Sequence, residues 1–241
     1  MKNALLVSLN VSQYVNARND DGITKEVMVA HQLMGKSGRW VKLKLNPDAL
    51  EGVRKAAGRA RADHYRLTLP WEDGKRLLPL ALMARYQAEM SARAVEFKAA
   101  VDAFVADYPA RVEESKIMHG KKWNQDDYPK PEVVGALFSF RTEFAAVPAE
   151  NHLAEIVTGD ALEQMKAGLV SANESRIAGA EASLWERLLT PVRDLASKLS
   201  DPDQTFRDSL VGNVREILDL APSFNLTGKP VLDTAVAEIR A

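Results

Sequence analysis

The sequence predicts an α+β fold that is predominantly α-helical: a small sheet plus long antiparallel helices, and not an OB-fold. Three observations predict it. Segments that alternate with period two are few and far apart, at residues 4–16, 39–45 and 137–147. Two long stretches, from about Pro79 to Tyr108 and from Thr158 to about Thr190, repeat apolar residues at helical spacing. The 241 residues are 46% hydrophobic and 27% charged, enough for a real core in one large or two small domains.

The elements follow in order. In the first alternating segment Val7, Leu9 and Val11 share one face of a strand, and Val15 extends the pattern. Asn19-Asp20-Asp21-Gly22 is a turn, with Asp21 placed to cap a helix over 23–34 that Gly35 stops. Over 39–45, Val41, Leu43 and Leu45 should face a core while Trp40, Lys42 and Lys44 line the open face. Asn46 caps and Pro47 opens a helix that runs to about Leu69, with Val53, Ala56, Ala57 and Ala60 as a thin apolar side. Pro70 to Gly74 reads as a turn, and Pro109 as a break or kink in the long helix that follows, before residues 110–118.

Residues 119–131 read as a polar loop, and 137–147 as a strand with Phe138, Phe140 and Phe144 on one face. Leu153 to Val157 reads as a further strand. The second long helix carries the seam Leu162, Met165, Leu169, Ala172, Ala180, Leu184 and Leu188 and kinks or restarts at Pro191. Small residues around Ala178 and Gly179 invite close approach of another helix. Helices at about 203–220 and 230–240 close the chain. The predicted organisation is a mixed region, 1–158, and a helical region, 159–241, packed on it as one domain.

Charge is unevenly spread. Residues 1–80 carry 14 basic and 8 acidic side chains, net +6; residues 81–241 carry 18 and 25, net −7. The positive excess concentrates in 36–76, which also holds Trp40, Tyr65 and Trp71. Cations that track phosphates, mixed with flat rings that stack on bases, suit single-stranded nucleic acid. The candidate binding residues are Lys36, Arg39, Trp40, Lys42, Lys44, Arg54, Lys55, Arg59, Arg61, Tyr65, Arg66, Trp71, Lys75 and Arg76. An alternative reading of the same residues makes the rings half-buried anchors and the cations a solvated helix face with buried stems.

Other chemistry is poorly supported. The chain has no cysteine, which excludes disulfides and thiolate metal sites and fits a reducing, cytoplasmic compartment. The opening apolar run is short and alternates with polar residues, so no secretion signal is expected. His31, His64, His119 and His152 are not spaced for shared metal ligation on one helix turn, and neither a metal nor a cofactor is expected. Gly35-Lys36-Ser37 has Ala30 where a phosphate-binding loop needs its first glycine. Paired carboxylates such as Asp126-Asp127 read as exposed, and no nucleophile sits in a strand-turn-helix elbow. An enzyme is not expected.

Three blocks carry a resemblance. They are Val7-Ser8-Leu9-Asn10-Val11-Ser12-Gln13, the run from His64-Tyr65-Arg66 through Leu69-Pro70-Trp71-Glu72-Asp73-Gly74 to Pro79, and Leu199-Ser200-Asp201-Pro202 with Phe206-Arg207-Asp208-Ser209-Leu210. Together they resemble a bacteriophage family known chiefly as a domain of unknown function. Some of its members are encoded near an AAA+ ATPase. The chain is also similar in kind to the single-stranded-DNA-binding RNA polymerase cofactors of phages that package their own polymerase. The resemblance implies a non-enzymatic protein of phage transcription or replication in the host-cell cytoplasm. Its implied partners are single-stranded DNA and a phage RNA polymerase or replication proteins. Separately from the resemblance, the helical region offers a surface for a homo-oligomer. The competing reading, motivated by the seam from Leu162 to Leu188, is a protein-interaction adaptor or assembly partner of a phage AAA+ module.

Overall fold

The computed structural model describes residues 3–149, 159–199 and 208–240. In chain order the elements are strand β1 (Ala4–Ser12), strand β2 (Ala17–Asn19), helix α1 (Asp21–Ala30), strand β3 (Val41–Leu43), helix α2 (Glu51–Arg66), strands β4 (Leu69–Glu72) and β5 (Lys75–Pro79), helix α3 (Met83–His119), the single turn α4 (Pro131–Val134), strand β6 (Ser139–Ala146), and helices α5 (Asp160–Leu199), α6 (Asp208–Phe224) and α7 (Pro230–Arg240). The fold is a predominantly helical α+β arrangement. One sheet has the order β4-β5-β1-β6 and does not close into a barrel; β2 and β3 form a separate two-stranded ribbon. Among the described residues no helix is long and apolar enough to cross a membrane.

The chain divides into two compact units. A sheet unit comprises Met1–Leu9, Ala62–Met90 and Thr142–Ala241; an arm unit comprises Asn10–Arg61 and Ser91–Arg141. The chain passes from one to the other within β1, α2, α3 and β6. The charge divides with them. The arm unit holds 18 basic and 13 acidic side chains, net +5; the sheet unit holds 14 and 20, net −6.

In the sheet unit, β1 pairs antiparallel with β5, Ala4 opposite Pro79 and Leu6 opposite Leu77. Leu6 and Val7 are both buried, so this end of β1 is covered on both faces. The hairpin β4–β5 turns at Asp73-Gly74, where Gly74 adopts φ +73°, a conformation that side chains with a Cβ rarely take. Pro70 and Trp71 therefore lie in a strand and not in the turn expected from sequence. Because β4 is an edge strand, a proline without an N–H is tolerated there.

Helix α2 ends at Arg66, three residues before the expected Leu69. Its last carbonyls are taken by side chains: Thr68 Oγ1 donates to His64 O, and Arg187 donates to Arg66 O at 2.7 Å and to Thr68 O at 2.8 Å. With those acceptors satisfied, Leu69 is free to enter the sheet. Of the α5 seam, Ala180, Leu184 and Leu188 are buried while Met165 is exposed. Helix α6 buries Val214, Ile217, Leu218 and Ala221 at helical spacing, and α7 buries Leu232 and Val236. The anticipated strand at Leu153–Val157 and the opening of the 203–220 helix lie outside the described residues.

The arm unit is built on rings. Tyr14, Phe97, Phe104, Tyr108 and Tyr128 are buried with Leu45, Leu50 and Val53, and Phe104 meets Tyr108 and Phe138 at centroid distances of 5.7 and 5.5 Å. Ala56 and Ala57 are fully buried, which confirms the thin apolar side of α2. Asn46 Oδ1 accepts from Asp48 N–H at 3.2 Å, and Pro47 opens the 3-10 turn that leads into α2. Of the break or kink expected at Pro109, the break does not occur. Helix α3 runs 37 residues through it. Tyr108 is buried beside the proline, and Arg111 bridges it by binding Asp107 at 2.6 Å on one side and Glu114 at 3.1 Å on the other. Packing and ion pairs on both flanks hold the helical path that the missing N–H weakens.

Candidate nucleic-acid interface

The arm that gives its unit its name runs from β2 through α1 to β3. Asp20 caps α1, its carboxylate accepting from Ile23 N–H at 2.9 Å. The cap is thus one residue earlier than the Asp21 expected from sequence. No residue of α1 is buried. Helix α1 ends at Ala30, with His31 as its C-cap, before Gly35 is reached.

In the ribbon, Arg18 pairs with Lys42, flanked by Ala17 with Leu43 and Asn19 with Val41. Paired residues share a face, so Arg18 and Lys42 point one way while the four flanking residues point the other. Lys42 points inward. It is 5% exposed, whereas Val41 is 44% and Leu43 42% exposed. The sequence pattern assigns the opposite faces, and the ribbon is a correction to it.

The physical cause is Asp127. Lys42 Nζ donates to Asp127 Oδ2 and to the Lys122 carbonyl, both at 2.8 Å, and Arg18 donates to Asp127 Oδ1. Burial works against the Asp127 carboxylate, but hydrogen bonds and charge from Lys42 and Arg18 outweigh it and hold its pKa below the usual value. The register is pinned from the next residues. Asn16 Oδ1 accepts from Leu45 N–H and Asn16 Nδ2 donates to Leu45 O, both at 2.8 Å. A one-residue slip would exchange the faces and strand both cations.

Asp127 is the residue that sequence reasoning misses. The pattern groups it with Asp126 as an exposed carboxylate, and it is buried. No local signal marks it, because its partners are 85 and 109 residues away. A cleft of about 370 Å³ opens beside it, bordered by Arg18, Lys42 and Lys122 and by Asp20 and Asp21. Three cations against three carboxylates, Asp127 included, give this cleft no bias toward an anion.

The structure sorts the fourteen candidate residues. In the arm unit Lys36, Arg39, Trp40, Arg54 and Arg61 are exposed, and the four cations form no ion pair with any described residue. Trp40 is 49% exposed. Lys55 pairs with Glu51 at 2.6 Å, and Arg59 pairs with Glu96. Both stay at the surface, where such pairs are weak. Lys44 is half-buried with Nζ 4.4 Å from the centre of the Tyr14 ring, and burial lowers its pKa.

In the sheet unit Tyr65 is exposed and Lys75 pairs with Glu72 at 3.0 Å. Arg66 is held by Asp63, Glu89 and Glu216. Arg76 donates to Thr68 Oγ1 at 2.7 Å and lies over the Tyr65 ring. Trp71 is buried, with Arg176 stacked 5.6 Å above it, and offers no free face to a base. His64 is buried with Nδ1 2.8 Å from the Tyr86 hydroxyl. Burial, then the charge of Arg76, pushes its pKa down to about 4. It is a satisfied neutral core histidine. Among the described residues no group of three or more His, Asp or Glu side chains could hold a metal ion.

No protein-family model, no curated protein and no solved structure matches the chain.

Proposed function

We propose that the protein is a non-enzymatic single-stranded-DNA-binding protein that uses its arm unit and is largely tolerant of sequence. The carrying observation is the pairing state of the cations. Lys36, Arg39, Arg54 and Arg61 stand exposed, with no ion pair to any described residue, in a unit of net charge +5 that also exposes Trp40. Unpaired guanidinium and ammonium groups release counterions on meeting phosphates, and an exposed indole stacks on any base. In this reading the protein acts in the host cytoplasm during phage transcription or replication, holding unwound DNA for a phage polymerase.

The test is fluorescence anisotropy with labelled single- and double-stranded oligomers across a salt series. Single strands should bind more tightly, with affinity falling as salt rises. R54A/R61A should weaken binding and flatten the salt slope by about 1.4, on the order of 0.7 per lost phosphate contact. Equal affinity for both strand forms, or an unchanged slope in the variant, refutes the proposal. A second reading, a protein-interaction adaptor, is favoured by the outward-facing Val41 and Leu43.

A further inference from the structure

The ribbon faces the wrong way for an isolated molecule. Strand β3 buries a lysine and turns Val41 and Leu43 outward, across from Ala17 and Asn19, which are exposed too. The rest of the arm behaves likewise: Val29 is 79% and Met34 87% exposed, and α1 buries nothing. A lone two-stranded ribbon is marginally stable in water. An apolar sheet face held outward by a buried ion pair is built to be covered.

Charge selects what covers it. Lys36 and Arg39 adjoin β3 and form no ion pair with any described residue, so two arms docked face to face would bring like charges together. The chain supplies the complement itself, in a sheet unit of net charge −6. Along α5, Asp160, Glu163, Ala167, Ser171, Glu174 and Ala178 recur at helical spacing, and all six are exposed. That stripe has small residues on which a flat ribbon can lie and carboxylates for the cations at its rim, Asp160 and Glu174 directly and Glu163 by exchanging its surface pair with Lys166.

We infer that the outer face of the ribbon docks on the α5 stripe of a second copy of this chain. The contact is heterologous, leaving one free ribbon and one free stripe at the ends, so copies add in a row. This goes beyond the DNA-binding reading and does not rest on it.

The experiment is sedimentation velocity on the full chain without nucleic acid, over a concentration series. The wild type should pass through a ladder of species that shortens as salt rises. V41K/L43K and E163K/E174K should each shift self-association to concentrations roughly tenfold or more higher, with unchanged circular dichroism. Each variant keeps one intact surface, so mixing the two should restore a one-to-one dimer and nothing longer. A wild type that stays monomeric overturns the inference, as does one that stops at a closed dimer. Two variants that fail to complement while remaining folded overturn it equally. Because no DNA is present, failure here leaves the anisotropy result standing, and the reverse holds.

Discussion

Replacing Asp127 by asparagine should destabilise the arm unit by about 3–5 kcal/mol, the usual cost of removing one partner from a buried ion pair. The Asp127 and Lys42 side chains are 4% and 5% exposed, so water in the neighbouring cleft screens the pair only weakly. The substituted amide would keep one acceptor for Lys42 Nζ, and the Lys122 carbonyl 2.8 Å away would remain. Neither neutralises an ammonium held away from solvent. At a typical urea dependence of about 1–3 kcal/mol per molar, the midpoint should fall by roughly 1–5 M. Trp123 is stacked on Tyr128 at 5.7 Å, next to the altered residue, and its fluorescence reports this unit. The double variant K42M/D127L should recover most of the loss, since it removes both charges together and fills similar volume. Arg18, whose side chain is 59% exposed, should matter little: R18A should cost under about 1 kcal/mol. The reasoning fails if D127N costs less than about 1 kcal/mol, or if the double variant is as unstable as the single one. The acid response has a definite sign. The folded-state pKa of Asp127 is depressed, so its contribution is present above the ordinary carboxylate pKa and is lost as the pH falls below it.

His64 titrates with the same sense in a milder range. Its folded-state pKa of about 4 lies below the unfolded value near 6.5, so stability should decline by up to about 3 kcal/mol as the pH falls from 6.5 to 4. Urea midpoints at pH 7 and 4.5 measure this, and H64F should remove most of the slope. R187M strands the Arg66 carbonyl at the end of α2, while Thr68 O keeps its bond from Arg76 at 3.2 Å, and should lower stability by about 1–3 kcal/mol in thermal unfolding. W40A should weaken single-strand binding by about 1–3 kcal/mol in anisotropy without changing the melting temperature, while Trp71 should be silent as a base contact.

Local chemistry is legible where one residue decides the outcome. Asn46 with Pro47 marks the start of the α2 segment, Asp73-Gly74 a turn though not the strands on either side of it, and the spacing of Phe97, Val101 and Phe104 one face of α3. It fails where distant partners decide. Pro109 breaks a helix in isolation, but the ring packing of Tyr108 and the Arg111 bridges override it. Pro191 likewise sits inside α5. Alternation in Trp40 to Leu45 correctly marks a strand and places Trp40 outside and Leu45 inside, but it assigns Val41, Lys42 and Leu43 backwards, because nothing near Lys42 reveals a carboxylate 85 residues ahead. The same blindness affects the binding set. Composition counts cations, but only coordinates separate Arg66, in ion pairs with three carboxylates, from Arg54, which forms no ion pair with any described residue.

The interleaving of the two units sets an order for biosynthesis. Everything the arm unit needs has left the ribosome once Arg141 is out, whereas the sheet unit takes its first strand from residues before Asn10 and its last helix from residues beyond 229. Translation proceeds at about 5–20 residues per second, so β1 must wait roughly 10–45 seconds for the last helix that completes its unit. During that interval its apolar residues depend on β4 and β5 for shelter. Severing the chain anywhere between the units would therefore leave a half-built sheet rather than two working parts.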